Sequence, residues 1–186
     1  IISVCTHENT HSKIVLSAVK NKAKIILCEK PIAKSIPEAK KMLRACQHYK
    51  KKLLINHTRS WHNSFLFAKK FIKSNKFGKI ISMNGSYTSG LEVMGTHMID
   101  MFRFLGGDII NAYGIFEKNK NITKLPYSEN YSPKDPSYSS IILFKNNSTG
   151  FLKGTSKKKY FVFDIDISFE GGNLNIKNNG KTLIMN

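Results

Sequence analysis

The sequence lacks several features that would place a protein in a special class. No run approaches the roughly 18 uncharged apolar residues that a membrane-spanning helix needs, although 41% of the residues are hydrophobic. Only three cysteines occur and no two form a C-x-x-C pair, which disfavours a disulfide framework and favours a reducing, cytoplasmic compartment. Disorder and membrane insertion are therefore not expected for these 186 residues.

Acidic residues are also scarce, with 12 Asp or Glu against 30 Lys or Arg and a formal net charge of +18. Such a charge first raises the hypothesis of a nucleic-acid-binding protein. However, Arg44, Arg59 and Arg103 are the only arginines, and base-edge or bidentate phosphate recognition prefers Arg. Because the lysines are scattered along the chain, we interpret them mainly as a solvated basic surface, and nucleic-acid binding remains a minor alternative.

Strands and helices alternate in the first third of the chain. Ser35 as an N-cap and Glu38 three residues later form a capping box at the start of the second helix. Apolar periodicity predicts strands at 1–5, 24–28 and 52–56 and a first helix at 12–22. Short apolar strands separated by single helices predict right-handed βαβ crossovers and a parallel sheet, whose ligands lie at the carboxyl ends of the strands.

The remainder, from residue 59, has a different pattern. It predicts helices at 63–74 and 96–105, a polar loop at 119–136, and strands at 80–88, 109–117, 139–144, 149–154, 161–169 and 174–177. Turn residues between neighbouring strands are typical of antiparallel hairpins. The predicted fold class is α/β, with a partial Rossmann-like parallel sheet in residues 1–58 followed by an incomplete α+β domain with a large, mainly antiparallel sheet in residues 59–186.

The segment from His7 to His11 matches the H-E-x-x-H pattern of zinc metalloproteases. The pattern requires one helix to present both His side chains and the Glu. Here the motif directly follows a strand, and Asn9 and Thr10 favour turns and helix caps. No convincing third ligand occurs downstream, so no metal site is predicted.

Two other segments carry residues suited to proton transfer. Glu29-Lys30-Pro31 follows a buried strand, where the lysine can donate to a substrate hydroxyl and Pro31 can hold the turn through a cis bond. His97 lies in the first turn of an amphipathic helix with Asp100 three residues later. Histidine is well suited to general acid–base work near neutral pH. Taken singly, each segment is also compatible with an ordinary surface turn or helix cap.

Read in order, these segments resemble the Gfo/Idh/MocA family of nicotinamide-dependent oxidoreductases. The resemblance covers nearly the whole chain and is most specific where Glu-Lys-Pro and Gly-Thr-His-x-x-Asp occur together. The matching segments are Ile2 to Thr6 with His11, KIILCEKPIAKSIPEAKKML at 24–43, NHTRSWHNSF at 56–65, FGKIISMNGSYTSG at 77–90, GTHMIDMFRFLGG at 95–107 and SIILFKNNSTGFLKGT at 140–155.

The resemblance implies a role for each matching residue. Lys30 and His97 would be catalytic, with His97 taking the proton as hydride leaves the substrate carbon. The residues implied to bind NAD or NADP are Thr6, His11, Glu29 and Pro31, and those implied to bind the substrate are Arg59, Trp61, Thr96 and Asp100. The implied substrate is a sugar or nucleotide sugar, and the sheet domain implies a homo-oligomer.

Two departures from the family pattern shape the functional hypotheses. Val93 occupies a position where many members carry Asp or Asn, and no G-x-G-x-x-G turn occurs in these residues. The chain also begins without Met, as if within a strand. We therefore expect a truncated chain that itself binds cofactor poorly. The leading hypothesis is that the parent protein is a sugar oxidoreductase, and the alternatives are a non-catalytic binding or assembly module and a Lys-rich nucleic-acid binder.

Overall fold

The structure is a computed structural model that describes residues 1–116, 135–155 and 160–186. The chain divides into two compact units, Ile1–Thr58 (unit 1) and Arg59–Asn186 (unit 2). Among the described residues, no helix is both long and apolar enough to cross a membrane. The polar loop expected at 119–136 lies outside the described residues, apart from its last two positions.

Unit 1 is a parallel sheet with two connecting helices. Its strands are β1 (Ile2–Val4), β2 (Ile25–Glu29) and β3 (Lys52–Asn56), in that spatial order, and its helices are α1 (Glu8–Ala18) and α2 (Ile36–His48). A small apolar core joins the helices to the sheet through Val4, Val15, Ile26, Cys28, Met42 and Cys46. The predicted parallel arrangement is therefore confirmed.

The two helices of unit 1 differ in how well the sequence predicts them. Helix α2 begins after Ser35, whose side chain accepts the N–H of Glu38 at 3.4 Å, as the capping box predicts. The predicted start of the first helix at residue 12 was wrong, because α1 already begins at Glu8. The Thr10 hydroxyl donates to the carbonyl of His7 at 2.8 Å within the first turn, where the acidic Glu8 is also favourable.

The buried side chain of His11 joins the loops that follow β1 and β2. Its Nδ1 lies 2.9 Å from the carbonyl oxygen of Pro31, and its Nε2 lies 2.9 Å from that of Thr6. The imidazole is fully buried. Helix α1 thus holds the segment that carries Lys30 and Pro31 through a single side chain.

Unit 2 is built on a large sheet, mainly antiparallel as predicted. Within the described residues, its strand order is β10–β9–β8–β4–β7–β6–β5, and only the β4–β7 pair is parallel. The strands are β4 (Ile80–Thr88), β5 (Ile109–Phe116), β6 (Tyr138–Phe144), β7 (Thr149–Thr155), β8 (Phe163–Phe169), β9 (Gly172–Lys177) and β10 (Thr182–Met185). The last strand was missing from the sequence prediction.

Helices α3 (Asn63–Ser74) and α4 (Thr96–Gly106) contribute to the core on one face of this sheet. Glycines in β4 and β7 allow α4 to lie close to the sheet. A Cβ on Gly85 would lie 2.7 Å from the Phe102 ring, and one on Gly150 would lie 2.8 Å from it. The position of α4, and of His97 at its start, therefore depends on small residues in the sheet. The predicted fold class is confirmed.

Replacing His11 tests whether its contacts with the carbonyls of Thr6 and Pro31 stabilise unit 1. We expect His11→Ala to lower the free energy of unfolding by about 2 kcal/mol or more, because the carbonyls of Thr6 and Pro31 lose the contact with a fully buried imidazole. The exposed His48 offers a matched control, and His48→Ala should change stability by less than about 0.5 kcal/mol. Native-state hydrogen exchange of the β2 amides provides the measurement, and equal effects of the two substitutions would contradict the prediction.

Candidate functional site

The carboxyl ends of the three parallel strands bring several predicted site residues to one edge of unit 1. The register pairs Val4 with Cys28 across β1 and β2, and Glu29 with Asn56 across β2 and β3. Because all three strands run in the same direction, Thr6 and the Lys30 segment follow them at the same edge. This is the edge at which open parallel sheets bind ligands.

Glu29 is held in place at this edge by a residue to which the sequence analysis gave no role. The Asn56 side-chain amide donates to Oε1 of Glu29 at 2.6 Å. Both side chains are partly buried, so the bond fixes the orientation of the carboxylate. The sequence feature that could have indicated this role is the position of Asn56 as the last residue of β3. Only the strand register shows that Asn56 lies opposite Glu29.

The hydroxyl of Thr6 is oriented by a chain of hydrogen bonds. Its Oγ1 lies 2.6 Å from Oγ1 of Thr10, which itself donates to the carbonyl of His7. Since a hydroxyl carries only one proton, Thr6 is the donor to Thr10. The oxygen of the exposed Thr6 therefore retains lone pairs that can accept a hydrogen bond from a ligand hydroxyl.

Lys30 and Pro31 follow Glu29 and are joined by a cis peptide bond. Both residues are partly buried, and the carbonyl of Pro31 is bound by His11. His11, for which the resemblance implied a cofactor contact, is fully buried. The imidazole of His11 holds the backbone carbonyls of Thr6 and Pro31 in place.

The H-E-x-x-H motif is helical from Glu8 onward, yet its geometry does not favour a metal site. Both ring nitrogens of His11 are already close to carbonyl oxygens. Within the described part of the chain, no group of three or more His, Cys, Asp or Glu residues is arranged to hold a metal ion.

Cys28 lies one residue before Glu29 and is not suited to nucleophilic chemistry. Burial, followed by the negative charge of Glu29, raises the pKa of its thiol to about 11. The thiol therefore stays protonated at neutral pH and packs as a small apolar side chain.

In unit 2, a π-helical turn (Leu91–Gly95) leads directly into α4. His97 is the second residue of α4 and is 7% exposed. Thr96 donates from its hydroxyl to the carbonyl of Glu92 at 3.1 Å. Asp100, one turn further, accepts a hydrogen bond from the hydroxyl of Ser60 at 2.8 Å. The predicted His, Thr and Asp thus share the first turns of one helix.

Arg59 and Trp61 lie on a short 3-10 helix (Thr58–Trp61) and differ strongly in exposure. The guanidinium of Arg59 lies 3.9 Å from the centre of the Phe163 ring, and its Nε donates to Asn179 at 2.8 Å. Burial lowers the pKa of Arg59 to about 10, so it remains charged at neutral pH. Trp61 is 65% exposed and has an open aromatic surface.

The groups at the edge of unit 1 fit part of a nicotinamide dinucleotide. Thr6 and Glu29 provide hydrogen-bond acceptors for ribose hydroxyls, and Lys30 provides a cationic donor. Phosphate groups in such folds are normally held by a glycine-rich turn at a helix N-terminus. No such pattern occurs in the sequence, so the fit concerns the ribose and nicotinamide portion.

Comparison with known proteins agrees with this geometry. Residues 1–57 match the family model described as an oxidoreductase family with an NAD-binding Rossmann fold. The chain is 26% identical over 125 residues to D-apiose dehydrogenase of Rhizobium rhizogenes, covering 58% of this chain and 36% of that protein. It is 27% identical over 138 residues to levoglucosan dehydrogenase of Pseudarthrobacter phenanthrenivorans, covering 60% and 35%.

The overall fold is shared with solved structures of similar proteins. WlbA dehydrogenase from Bordetella pertussis, in complex with NADH and UDP-GlcNAcA, superposes with a TM-score of 0.80 at 14% identity, covering 95% of this chain and 58% of that chain. This chain spans about a third of the length of the two curated relatives. The match to the family model confirms the predicted resemblance for residues 1–57: this part of the chain matches the NAD-binding Rossmann fold of the Gfo/Idh/MocA oxidoreductases.

Proposed function

We propose that the intact protein is an NAD- or NADP-dependent oxidoreductase that transfers hydride between a sugar secondary alcohol and the nicotinamide. The observation that supports this most directly is the carboxyl edge of the parallel sheet. There Glu29, oriented by Asn56, precedes the cis-linked Lys30 and Pro31. This edge belongs to the segment that matches the NAD-binding family model.

Cofactor binding is assigned to the polar groups of this edge. Thr6 can accept from a ribose hydroxyl because its own proton is committed to Thr10. Glu29 can accept from a second hydroxyl through the oxygen not bonded to Asn56. The bound nicotinamide supplies the hydride acceptor. His11 and Pro31 contribute by fixing the backbone from which these side chains extend.

Proton transfer is assigned to Lys30 and His97. Oxidation of an alcohol requires a proton to leave the oxygen as hydride leaves the carbon. The ammonium group of Lys30 can donate a hydrogen bond to that oxygen and stabilise its developing negative charge. His97 carries an imidazole that can accept the proton, and the first turn of α4 holds it.

The substrate assignment rests on the relatives and on the exposed groups of unit 2. Two curated relatives are dehydrogenases of apiose and levoglucosan, and a structural neighbour was crystallised with UDP-GlcNAcA. Trp61 provides an open aromatic face suited to packing against an apolar sugar face. We assign Thr96 and Asp100 to substrate hydroxyls and Arg59 to the wall of the site. The net charge of +18 favours an anionic substrate such as a nucleotide sugar.

A non-catalytic role as a binding or assembly module is the second candidate. It is favoured by Val93, which stands where many family members carry an acidic or amide side chain. The side chain of valine cannot form a hydrogen bond to a substrate hydroxyl. A protein with valine at this position is therefore compatible with binding without turnover. The two candidates differ in whether the intact protein transfers hydride.

An assay of NAD(P)⁺ reduction with a panel of sugars and nucleotide sugars separates these candidates. We expect turnover by the intact protein, and we expect Lys30→Ala or His97→Ala to lower kcat by about 10²–10⁴-fold, the usual contribution of a proton-transfer group. The exposed Lys34 gives a matched control, and Lys34→Ala should retain kcat within about twofold. Unchanged kcat in Lys30→Ala would remove this lysine from the mechanism.

We further propose that the outer face of the unit 2 sheet binds a second copy of the chain. On β5, β6 and β7, exposed apolar side chains form a continuous stripe: Tyr113 at 62%, Ile115 at 79%, Ile141 at 46% and Phe151 at 44%. The register places Tyr113 opposite Ile141 and Ile141 opposite Phe151. Since such patches are costly to leave in water, a symmetric partner that presents the same stripe can bury both.

A charge placed in the stripe should separate the copies. We expect the intact protein to sediment as a dimer or larger oligomer at micromolar concentration and Ile141→Lys to sediment as a smaller species. Ile36 on α2 is 71% exposed and lies in unit 1, so Ile36→Lys should leave the oligomer intact. Analytical ultracentrifugation gives the measurement, and a monomeric wild-type protein would contradict the proposal.

A further inference from the structure

Asp135 is a buried carboxylate to which the proposed function gives no role. It is 4% exposed. Its Oδ1 accepts the backbone N–H of Glu92 at 2.9 Å, and its Oδ2 accepts that of Val93 at 3.1 Å. The carboxylate thus binds two consecutive N–H groups of the π-helical turn before α4, although it lies 43 and 42 residues further along the chain.

The other N–H groups of the turn are also satisfied. Leu91 donates to the carbonyl of Pro136 at 3.1 Å, and Met94 and Gly95 donate to the carbonyl of Gly90 at 3.0 and 3.1 Å. Helix starts normally leave such groups without intrahelical partners. Here Asp135 and Pro136 accept three of the five, so the turn depends on this distant segment for its shape.

The fit between Asp135 and the turn is close. A Cβ on Gly90 would overlap both the carboxylate and the backbone oxygen of Asp135. Only glycine therefore allows the two segments to approach to hydrogen-bonding distance. Gly90 and Asp135 are in close van der Waals contact, which limits how far the turn can shift.

Residues next to Asp135 are fixed to β4 in turn. The Tyr87 hydroxyl donates to the carbonyl of Tyr138 at 3.1 Å and accepts its N–H at 3.3 Å. Burial raises the pKa of Tyr87 above its ordinary value, so its hydroxyl remains a donor. The hydroxyl of Ser137 donates to the carbonyl of Ser89 at 2.5 Å. The segment that follows Asp135 is therefore bonded to β4 and to Ser89, which limits how far Asp135 can move relative to the sheet.

We propose that Asp135 is a positioning residue for His97. By binding the N–H groups of Glu92 and Val93, it fixes the turn from which α4 begins and so sets the location of an imidazole only a few residues later. The negative charge also stabilises the N-terminal end of the helix. The inference rests on the proposed role of His97 in proton transfer, since accurate placement matters only for a group that reacts.

Substitutions of Asp135 in the intact protein test the proposal, with Asp108 as the matched control. Asp135→Asn keeps the size but replaces one acceptor oxygen by an amide donor, and Asp135→Ala removes both acceptors. Asp108 lies just beyond the other end of α4, and its side chain is 72% exposed. Asp108→Asn should leave all readouts unchanged.

Three readouts separate positioning from simple stabilisation. We expect faster hydrogen exchange at the amides of Glu92 and Val93, and shifted imidazole resonances of His97 in NMR spectra, for Asp135→Asn. We expect kcat for NAD(P)⁺ reduction to fall about tenfold in Asp135→Asn and about 100-fold in Asp135→Ala, as for a misplaced catalytic group. The KM for the dinucleotide should stay within about twofold, because unit 1 is assigned to bind it.

The outcomes distinguish this proposal from the proposed function. If the wild-type protein transfers no hydride, the proposed function fails, while the imidazole resonances still report whether Asp135 positions His97. Unchanged His97 resonances in folded Asp135→Asn would overturn the positioning role. Unchanged kcat in an active protein, with faster exchange at Glu92 and Val93, would also overturn it, because the hydrogen bonds of Asp135 would then stabilise the turn without affecting catalysis.

Discussion

The register between β2 and β3 is the constraint on which the unit 1 site depends. It pairs the buried Cys28 with Ile55 and, one step later, the polar Glu29 with Asn56. A slip by one residue would turn Glu29 toward the core and break its hydrogen bond to Asn56. The apolar residues of the two strands, buried in β2 and partly buried in β3, therefore fix which polar groups meet at the carboxyl edge. His11 then holds the following segment by binding the carbonyls of Thr6 and Pro31.

In unit 2, apolar packing between a helix and the sheet fixes the position of a polar side chain. Phe102 and Met98 of α4 occupy space that Gly85 leaves open in β4, so the helix lies close to the sheet. Its first turn is fixed separately by Asp135, through a carboxylate that is almost fully buried. His97 is thus placed by apolar contacts along the helix and by hydrogen bonds at its start. The proposed function assigns dinucleotide binding to the sheet edge of unit 1 and proton transfer to α4 of unit 2.

Local patterns in the sequence predicted much of this fold. Apolar runs located nine of the ten strands in the described residues, and Ser35 with Glu38 located the start of α2. The start of α1 was missed because Asn9 and Thr10 are common in turns, whereas here Thr10 bonds back to His7 within the helix. The contacts of Asn56, Arg59 and Asp135 could not be predicted, since each of these residues has a partner distant in sequence. Residue propensities describe only the local sequence. Contacts between residues distant in sequence are defined by strand register and tertiary packing.

Mapping NADH onto the intact protein by amide chemical shifts tests the central claim most directly. The account predicts that NADH shifts the backbone amides of Thr6, Glu29, Lys30 and Asn56, which all lie at the carboxyl edge of the parallel sheet. Amides at the opposite edge, such as those of Lys24 just before β2 and Lys52 at the start of β3, should stay unchanged. An absence of shifts at saturating NADH, or shifts confined to the opposite edge, would contradict the account.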